Sequence, residues 1–328
     1  MVLKGLIKNL FLFLFTVFLF SCNAPRDNPL DPYSSKSDLA QIIGTVQTFS
    51  GPRSGIPDVS VFWIPGNIVV KTDSAGQFEI NNIKPNDGLL IFQKNGYTSD
   101  SIMIHWTNSK KITTPVVNLN KIPKLDSYSI YSEVTNQTGL TSLVLTQIAN
   151  LSFKVKISDS DNDIDSVFVK NEMLDFTGGL VLQGKVYQAS FSTSELNVTD
   201  LEEIVGYNFD VYVIDNSKRS YLVGSNKIVR VIKNGPDPVY PINDTTLSIP
   251  FTLNWSQFNA GYPYNYKVEI YNAANTEPFY SQDNIPSTQT SVNVDTTAII
   301  SGDYLWVVYI VDKFSDSYKS QPGKFHIK

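Results

Sequence analysis

The sequence predicts an all-β protein in which three β-sandwich domains follow one another along the chain. Short runs of alternating apolar and polar residues recur from residue 41 to the end, and this period of two is typical of strands with one buried face. Clusters of Gly, Pro, Asn, Asp and Ser separate the runs, with no long helical pattern between them. Only 17% of the residues are charged, a composition typical of extracytoplasmic β-sheet proteins.

Residues 1–21 have the features of a signal peptide. Lys4 and Lys8 precede an apolar run at positions 10–20. That run is too short to cross a bilayer of about 30 Å as a helix, so it is expected to be a cleaved leader rather than a membrane span.

Cys22 is the only cysteine of the chain. The Leu19-Phe20-Ser21-Cys22 run resembles a bacterial lipobox, which implies that the thiol is acylated, with palmitate, and becomes the new N-terminus. The alternative is an ordinary secretory signal with an unmodified thiol, but a lone thiol in an oxidising compartment is a liability. The resemblance therefore implies a lipoprotein held in the cell envelope by acyl chains, each buried CH₂ contributing about 0.8 kcal/mol. Asn23 after the cysteine favours the outer membrane, with the surface or periplasmic face left open.

Residues 22–40 are predicted to be a lipidated, flexible tether, because they are polar and rich in Pro, Asp and Ser. Loss of Lys4 and Lys8 with the leader lowers the formal net charge of the chain from −5 to −7. This charge argues against nucleic acid as a partner, since that function needs a basic face.

Residues 41–120 are expected to form the first sandwich. Val59, Val61 and Trp63 alternate with Ser60 and Phe62, so the first three should face the core and the other two the opposite side of the strand. Turn sequences follow at short intervals along this segment.

The segments "IIGTV", "GIPDVSVFW", "KTDSAGQFEINNI" and "FQKNGYTS" occur in the order and spacing of the carboxypeptidase regulatory-like (transthyretin-like) sandwich, which this domain resembles. The turn at 72–78 is the strongest part of this resemblance. Asp73 can cap backbone N–H groups there, Gly76 can take a positive φ, and Phe78 should begin the next strand pointing inward. The resemblance implies a module without catalytic activity.

Residues 121–234 are predicted to form a second sandwich that is similar in pattern to immunoglobulin-like domains. "LSFKVKISD" and "YNFDVYVID" both alternate as half-buried strands. Between them, Thr199 and Glu202 stand at the spacing of a capping box, which predicts one helical turn.

Residues 235–328 begin at a Pro-rich boundary, "NGPDPVYP", and resemble a fibronectin type III-like domain. Trp255 is expected on an early strand beside Phe251 and Leu253. The run Tyr304–Val311 is apolar on both faces, as in a central strand.

The acidic segment "SDSDNDIDS" at 158–166 offers a candidate calcium site at Asp159, Asp161, Asp163 and Asp165, since calcium prefers clustered hard oxygen ligands. An EF-hand is rejected because Ser166 replaces the required glycine and a strand follows. Two readings stay open: a solvated hairpin turn, which is favoured, and an irregular calcium loop. No other cofactor is expected.

The sequence points to a non-catalytic protein. His105 and His326 are its two histidines, and no G-x-S-x-G, H-E-x-x-H or zinc-ligand spacing occurs. The leading interpretation is a binding or structural module that presents its sandwiches to an unknown envelope protein or to the envelope itself. The alternative is a glycan-binding surface lipoprotein that aids polysaccharide capture, with Tyr262, Tyr271 and Trp106 as the aromatic contacts.

Overall fold

The computed structural model describes residues 38–107, 109–138, 145–272, 277–296 and 298–328. The predicted signal peptide, Cys22 and most of the tether lie outside the described residues, so these assignments stay predictions. The described chain divides into two compact units, one ending at Ile122 and the other comprising Pro123–Lys328. Both consist of strands, which confirms the all-β sandwich prediction. Among the described residues, no helix has the length and apolarity needed to cross a membrane.

The first unit is a sandwich of two four-stranded sheets. Its strands are β1 (Ala40–Thr48), β2 (Ser60–Trp63), β3 (Ile68–Lys71), β4 (Gln77–Ile83), β5 (Gly88–Gln93), β6 (Asp100–Ile104), β7 (Lys111–Thr113) and β8 (Val117–Leu119). One sheet has the order β4-β1-β7, with β8 also pairing with β1, and the other has the order β3-β2-β5-β6. A single 3-10 turn, Ile64–Gly66, follows β2.

The core of the first unit lies between these sheets. Val59, Val61 and Trp63 are at most 1% exposed, whereas Ser60 and Phe62 are half-buried on the opposite face. The alternation predicted for this strand is therefore confirmed.

The turn between β3 and β4 is built as its residues predict. Asp73 Oδ1 accepts hydrogen bonds from the backbone N–H groups of Ala75 (2.9 Å) and Gln77 (2.8 Å). Gly76 has φ +75, where a side chain would be strained. Phe78 then enters the core at 4% exposure.

The second unit holds the remaining strands. In its first part they are β9 (Lys124–Thr138), β10 (Leu145–Ser158), β11 (Ile164–Asn171), β12 (Phe176–Gln183), β13 (Val186–Ser192), β14 (Asn208–Asp215) and β15 (Ser220–Lys227). In its second part they are β16 (Pro238–Tyr240), β17 (Thr245–Leu247), β18 (Phe251–Trp255), β19 (Tyr264–Asn272), β20 (Tyr280–Pro286), β21 (Ser291–Val294), β22 (Gly302–Asp312), β23 (Ser317–Lys319) and β24 (Gly323–Ile327).

Two hydrophobic clusters lie within this second unit. The first is centred on Phe153 and Phe209, whose rings are 5.3 Å apart edge to face. The second contains Trp255, Trp306 and Tyr266, all at most 3% exposed. The inward faces predicted for these strands agree with this burial, while the predicted division near residue 234 stays a prediction.

One sheet runs through both parts of the second unit. Within the described residues its order is β15-β14-β11-β12-β13-β10-β9-β23-β22-β19-β20, with β24 pairing with β22 and β17 with β24. The link is a parallel pairing of β9 with β23, in which Ser317 lies opposite Glu133 and Lys319 opposite Thr135.

The helical turn expected between β13 and β14 is present as a 3-10 turn at Leu201–Ile204. Its N-cap is Asp200 rather than Thr199, because Asp200 Oδ1 accepts from the Glu202 N–H at 2.9 Å. The Thr199 hydroxyl instead donates to Glu203. In this 3-10 turn the capping side chain accepts from the N–H two positions further along the chain, whereas a capping box implies three positions.

Candidate binding sites

Three of the four acidic residues named from the sequence converge in the turn between β10 and β11, here called the acidic turn (residues 159–163). Carboxylate oxygens of Asp159, Asp161 and Asp163 all lie within 4.8 Å of one another. Asp159 Oδ2 also accepts from the backbone N–H of Asp163 at 2.9 Å, and Asn162 turns the chain with φ 52. Asp165 is not part of this group, since it pairs with Lys218 Nζ at 2.9 Å.

The electrostatics of the acidic turn follow from this crowding. Burial raises the pKa of Asp159 because it disfavours the charged form of the carboxyl group. The neighbouring carboxyl group of Asp161 raises it further, because it disfavours a second negative charge. Three converging carboxylates have the chemistry that a hard divalent cation such as calcium prefers. The predicted hairpin is wrong, because β10 pairs with β9 and β13 whereas β11 pairs with β12 and β14. A plain connecting turn and an irregular calcium loop both stay open as interpretations of this segment.

The aromatic residues named for glycan binding do not form a common platform in the second unit. Tyr262 precedes β19 and Tyr271 lies near its end, which separates them by on the order of 25 Å along an extended strand. The Arg230 guanidinium carbon lies 4.1 Å from the centroid of the Tyr262 ring. The Tyr271 hydroxyl donates to the carboxylate of Glu269.

The environment of Tyr271 is a polar network on the outer face of β19 and β22. Burial and the Glu269 carboxylate raise the pKa of Tyr271 to about 12. Tyr309 donates to the same carboxylate at 2.7 Å, and Lys319 Nζ lies 5.1 Å from the Tyr271 ring centroid. These contacts fix the ring, and Lys319 occupies space beside it.

Trp106 belongs to the first unit, where it is half-buried and packs against the core. Its backbone N–H donates to Asp87 Oδ1 at 2.8 Å, and His105 Nδ1 lies 2.8 Å from Asp87 Oδ2. The hydrogen bonds from His105 and then Trp106 lower the pKa of Asp87. The second histidine makes a similar exposed pair, with His326 Nδ1 lying 2.7 Å from Asp303 Oδ1.

A buried polar cluster, here called the junction, joins the two parts of the second unit. Asp316 Oδ1 accepts from the backbone N–H of Ser132 (2.7 Å) and from its hydroxyl (3.0 Å). Arg230 Nε lies 3.1 Å from Asp312 Oδ2, and the Asp312 side chain is fully buried. Asp312 Oδ1 in turn accepts from the Asp316 N–H at 3.0 Å.

Burial raises the pKa of Asp316 to about 6, against the opposing effect of its two hydrogen bonds from Ser132. The Asp312 carboxylate adds to the rise and Arg230 reduces it. The junction thus carries a buried carboxyl group with a pKa of about 6, well above its ordinary value of 3.8.

The first unit carries an open groove of about 900 Å³, here called the groove. It lies on the outer side of the β2–β5 pair, and its lining includes Asp58, Ser60, Phe62, Gln93, Asn95 and Tyr97. No motif in the sequence marks this surface as a site. The sequence feature that could have indicated the groove is the alternation in β2, which places Phe62 on the face opposite the core.

The comparisons with known proteins assign no family. No family model matches the sequence, and no curated protein matches it. Among solved structures, the fibronectin(III)-like modules of CbhA from Clostridium thermocellum align at 10% identity over 63% of this chain and 93% of theirs, with a TM-score of 0.29. The FN1–FN3 domains of chicken CNTN1 align at 9% identity over 88% of this chain and 98% of theirs, with a TM-score of 0.32.

A DUF3823 family protein from Bacteroides ovatus aligns at 15% identity over 58% of this chain and 98% of its own, with a TM-score of 0.25. At these identities and TM-scores none of the three structures lends this chain a function.

Proposed function

We propose that this chain is a cell-envelope lipoprotein, anchored by acyl chains on Cys22, whose β-sandwiches form a non-catalytic binding and structural module for an envelope protein partner. The finer domain assignments belong to the same proposal: a carboxypeptidase regulatory-like first domain, then immunoglobulin-like and fibronectin type III-like domains. The outer membrane is its proposed location.

The observation that carries the structural part of the proposal is the junction. Domains in one chain usually move relative to each other unless their interface is large and hydrophobic. Val134 of β9 packs in the same core as Trp306 of β22, so the contact between the two parts is partly apolar. Here a strand pairing between β9 and β23 and the buried contact of Ser132 with Asp316 tie two cores into one unit. A stiff unit of this kind suits a protein that presents a binding surface of fixed shape.

The acidic turn serves this proposal as a connecting turn between β10 and β11, two strands that pair with other neighbours and not with each other. A calcium ion held by Asp159, Asp161 and Asp163 is the alternative. In that case the ion would order the edge of the sandwich, and the rest of the proposal would be unchanged.

The proposal is tested by fractionating cells that express the wild-type chain or Cys22→Ala. We expect the wild-type chain in the outer-membrane fraction and the variant in the soluble extract. Membrane association that survives the substitution would refute the lipid anchor. Protease treatment of intact and lysed cells then shows which face the second unit occupies.

The binding part is tested by chemical cross-linking in intact cells, followed by identification of the linked proteins. We expect a defined envelope protein that is linked to the wild-type chain and lost with Cys22→Ala. Absence of any reproducible linked protein would argue against a protein partner.

A further inference from the structure

We propose that the groove of the first unit binds a neutral oligosaccharide, with the rings of Phe62 and Tyr97 as its stacking surfaces. The inference goes beyond the proposed function, on which it rests only in treating the chain as a binding module. It uses none of the aromatic residues that the sequence suggested for glycan contact.

The floor of the groove is set by the pairing of β2 with β5. In this register Ser60 lies opposite Gln93 and Phe62 opposite Ile91. The neighbours of Phe62 in β2, Val61 and Trp63, are at most 1% exposed. Because successive side chains of a strand alternate, these two buried residues hold the Phe62 ring on the outer face.

The wall of the groove is a turn that backbone hydrogen bonds tie to the end of the unit. The Tyr97 N–H donates to the Lys94 carbonyl at 3.1 Å, which closes the turn. The Thr98 N–H donates to the Asn120 carbonyl at 2.8 Å, and the Ile122 N–H to the Gly96 carbonyl at 3.0 Å. A wall fixed in this way costs little ordering entropy when a ligand binds.

The Tyr97 ring is held in place as well. Its side chain packs partly against the core of the unit. The amines of Lys94 and Lys121 each lie 5.9 Å from its centroid, near the outer limit of a cation–π contact, about 6 Å. These contacts fix the orientation of the ring, and both amines lie farther from it than the Lys319 amine lies from the Tyr271 ring, 5.1 Å.

The polar lining of the groove has the chemistry that sugar hydroxyls need. Each sugar hydroxyl both donates and accepts, and the side-chain amides of Gln93 and Asn95 supply both functions, as do the hydroxyls of Ser60 and Ser99. Aromatic faces carry negative partial charge, and they attract the weakly positive C–H groups on the face of a pyranose ring. The volume of the groove, about 900 Å³, is within the range of ligand sites.

The charge of the lining favours a neutral ligand. Asp58 and Lys94 are the acidic and basic residues of its lining, so their charges offset each other. Lys121 is not part of the lining, although its amine lies 5.9 Å from the Tyr97 ring centroid. Lys94 Nζ already donates to the Pro57 carbonyl at 2.5 Å. A neutral chain avoids the Asp58 carboxylate, which an anionic chain would face.

A peptide fits the groove less well than a sugar chain. Both strands of the floor are paired on each side, in the order β3-β2-β5-β6, so the floor offers no free backbone edge for an added strand. The groove is also open, whereas peptide and protein anchors fill enclosed apolar pockets.

The proposal is tested with the full mature chain on an array of neutral oligosaccharides, acidic oligosaccharides and extended peptides, followed by calorimetric titration of the best ligand. We expect binding to neutral oligosaccharides only. Tyr97→Ala should weaken it about tenfold or more through loss of stacking. Gln93→Ala should weaken it about tenfold through loss of a hydrogen bond.

Gln93 is exposed, so its truncation tests the site even if Tyr97→Ala lowers stability. The matched control is Val69→Ala, because Val69 is the β3 partner of Phe62 on the same outer face, is 54% exposed and does not line the groove. Its affinity should equal that of the wild type. Binding to acidic chains or peptides alone, no binding at all, or equal affinity in Gln93→Ala and the wild type would each overturn the proposal. None of these results bears on the anchor or the protein partner, which fractionation and cross-linking test separately.

Discussion

Replacing Asp316 with asparagine tests the electrostatics of the junction. The Asp316 side chain is isosteric with that of asparagine, and an amide oxygen can still accept from the N–H and hydroxyl of Ser132, at 2.7 and 3.0 Å in the wild type. What the substitution removes is a carboxylate that is buried beside Asp312. We therefore expect Asp316→Asn to stabilise the second unit above neutral pH.

The magnitude follows from the pKa. Burial raises the pKa of Asp316 from its ordinary value of 3.8 to about 6, and a shift of about two pKa units corresponds to about 3 kcal/mol. Screening by nearby solvent reduces the effect, so we expect about 1–2 kcal/mol. Between pH 4 and 6 the folded state binds the proton more tightly than the unfolded state. The contribution of Asp316 to the free energy of unfolding therefore falls as pH rises through this range and is level above it.

The assay is urea unfolding of the wild type, Asp316→Asn and the exposed control Asp295→Asn from pH 4 to pH 8. The difference between Asp316→Asn and the wild type should be near zero at pH 4 and reach about 1–2 kcal/mol in favour of the variant by pH 7.5. The control should follow the wild type. If Asp316→Asn is instead less stable than the wild type by a constant amount at every pH, the buried negative charge of Asp316 does not destabilise the fold. That result would refute the prediction.

Three further substitutions test other parts of the structure by urea or thermal unfolding. Gly76→Ala should lower the free energy of unfolding by about 3 kcal/mol, because the new Cβ would lie 2.2 Å from a backbone carbonyl oxygen at φ +75. Gly96→Ala, at φ +78 with no atom within 4 Å of its Cβ, should lower it by about 1 kcal/mol. Equal losses in the two variants would contradict the role of the close approach. Arg230→Met should cost roughly 2–3 kcal/mol by leaving the buried Asp312 carboxylate without its cation, and an unchanged stability would show that the pair does not matter. Asp159→Asn should raise stability in a calcium chelator by up to about 1 kcal/mol through relief of carboxylate crowding. In millimolar calcium, Asp159→Asn should remain more stable than the wild type if the acidic turn is a plain turn. The wild type should become the more stable of the two if the turn binds the ion.

Features that depend on neighbouring residues could be predicted from the sequence. The alternation in β2 and β18 placed Trp63 and Trp255 in the cores, because strand geometry alone decides which side a residue faces. The turn after Thr72 followed from the capping ability of Asp73 and the φ freedom of Gly76. The cap of the helical turn was displaced by one residue, since a 3-10 turn and an α-helical turn share the same local signal.

The groove and the junction could not be predicted in the same way. Phe62 was placed correctly on an outer face, but Tyr97 joins it only because its turn is tied to residues 120–122 by hydrogen bonds that no local pattern encodes. Tyr262 and Tyr271 were both named as sugar contacts, and they are near each other in the sequence. An extended strand converts that nearness into separation.

The junction shows what a long-range contact of this kind specifies. Ser132 and Asp316 are 184 residues apart in the chain. A parallel pairing such as that of β9 with β23 has no tight connecting turn, so no local sequence pattern predicts it. Burying two carboxylates carries a cost, as the raised pKa of Asp316 records, and apolar residues of similar size could fill the same space without that cost. Apolar residues, however, would tolerate a shifted register, whereas the two hydrogen bonds from Ser132 to Asp316 form in one register. The junction therefore fixes the alignment of β9 against β23, and with it the orientation of the two cores, more than it adds to the stability of the fold.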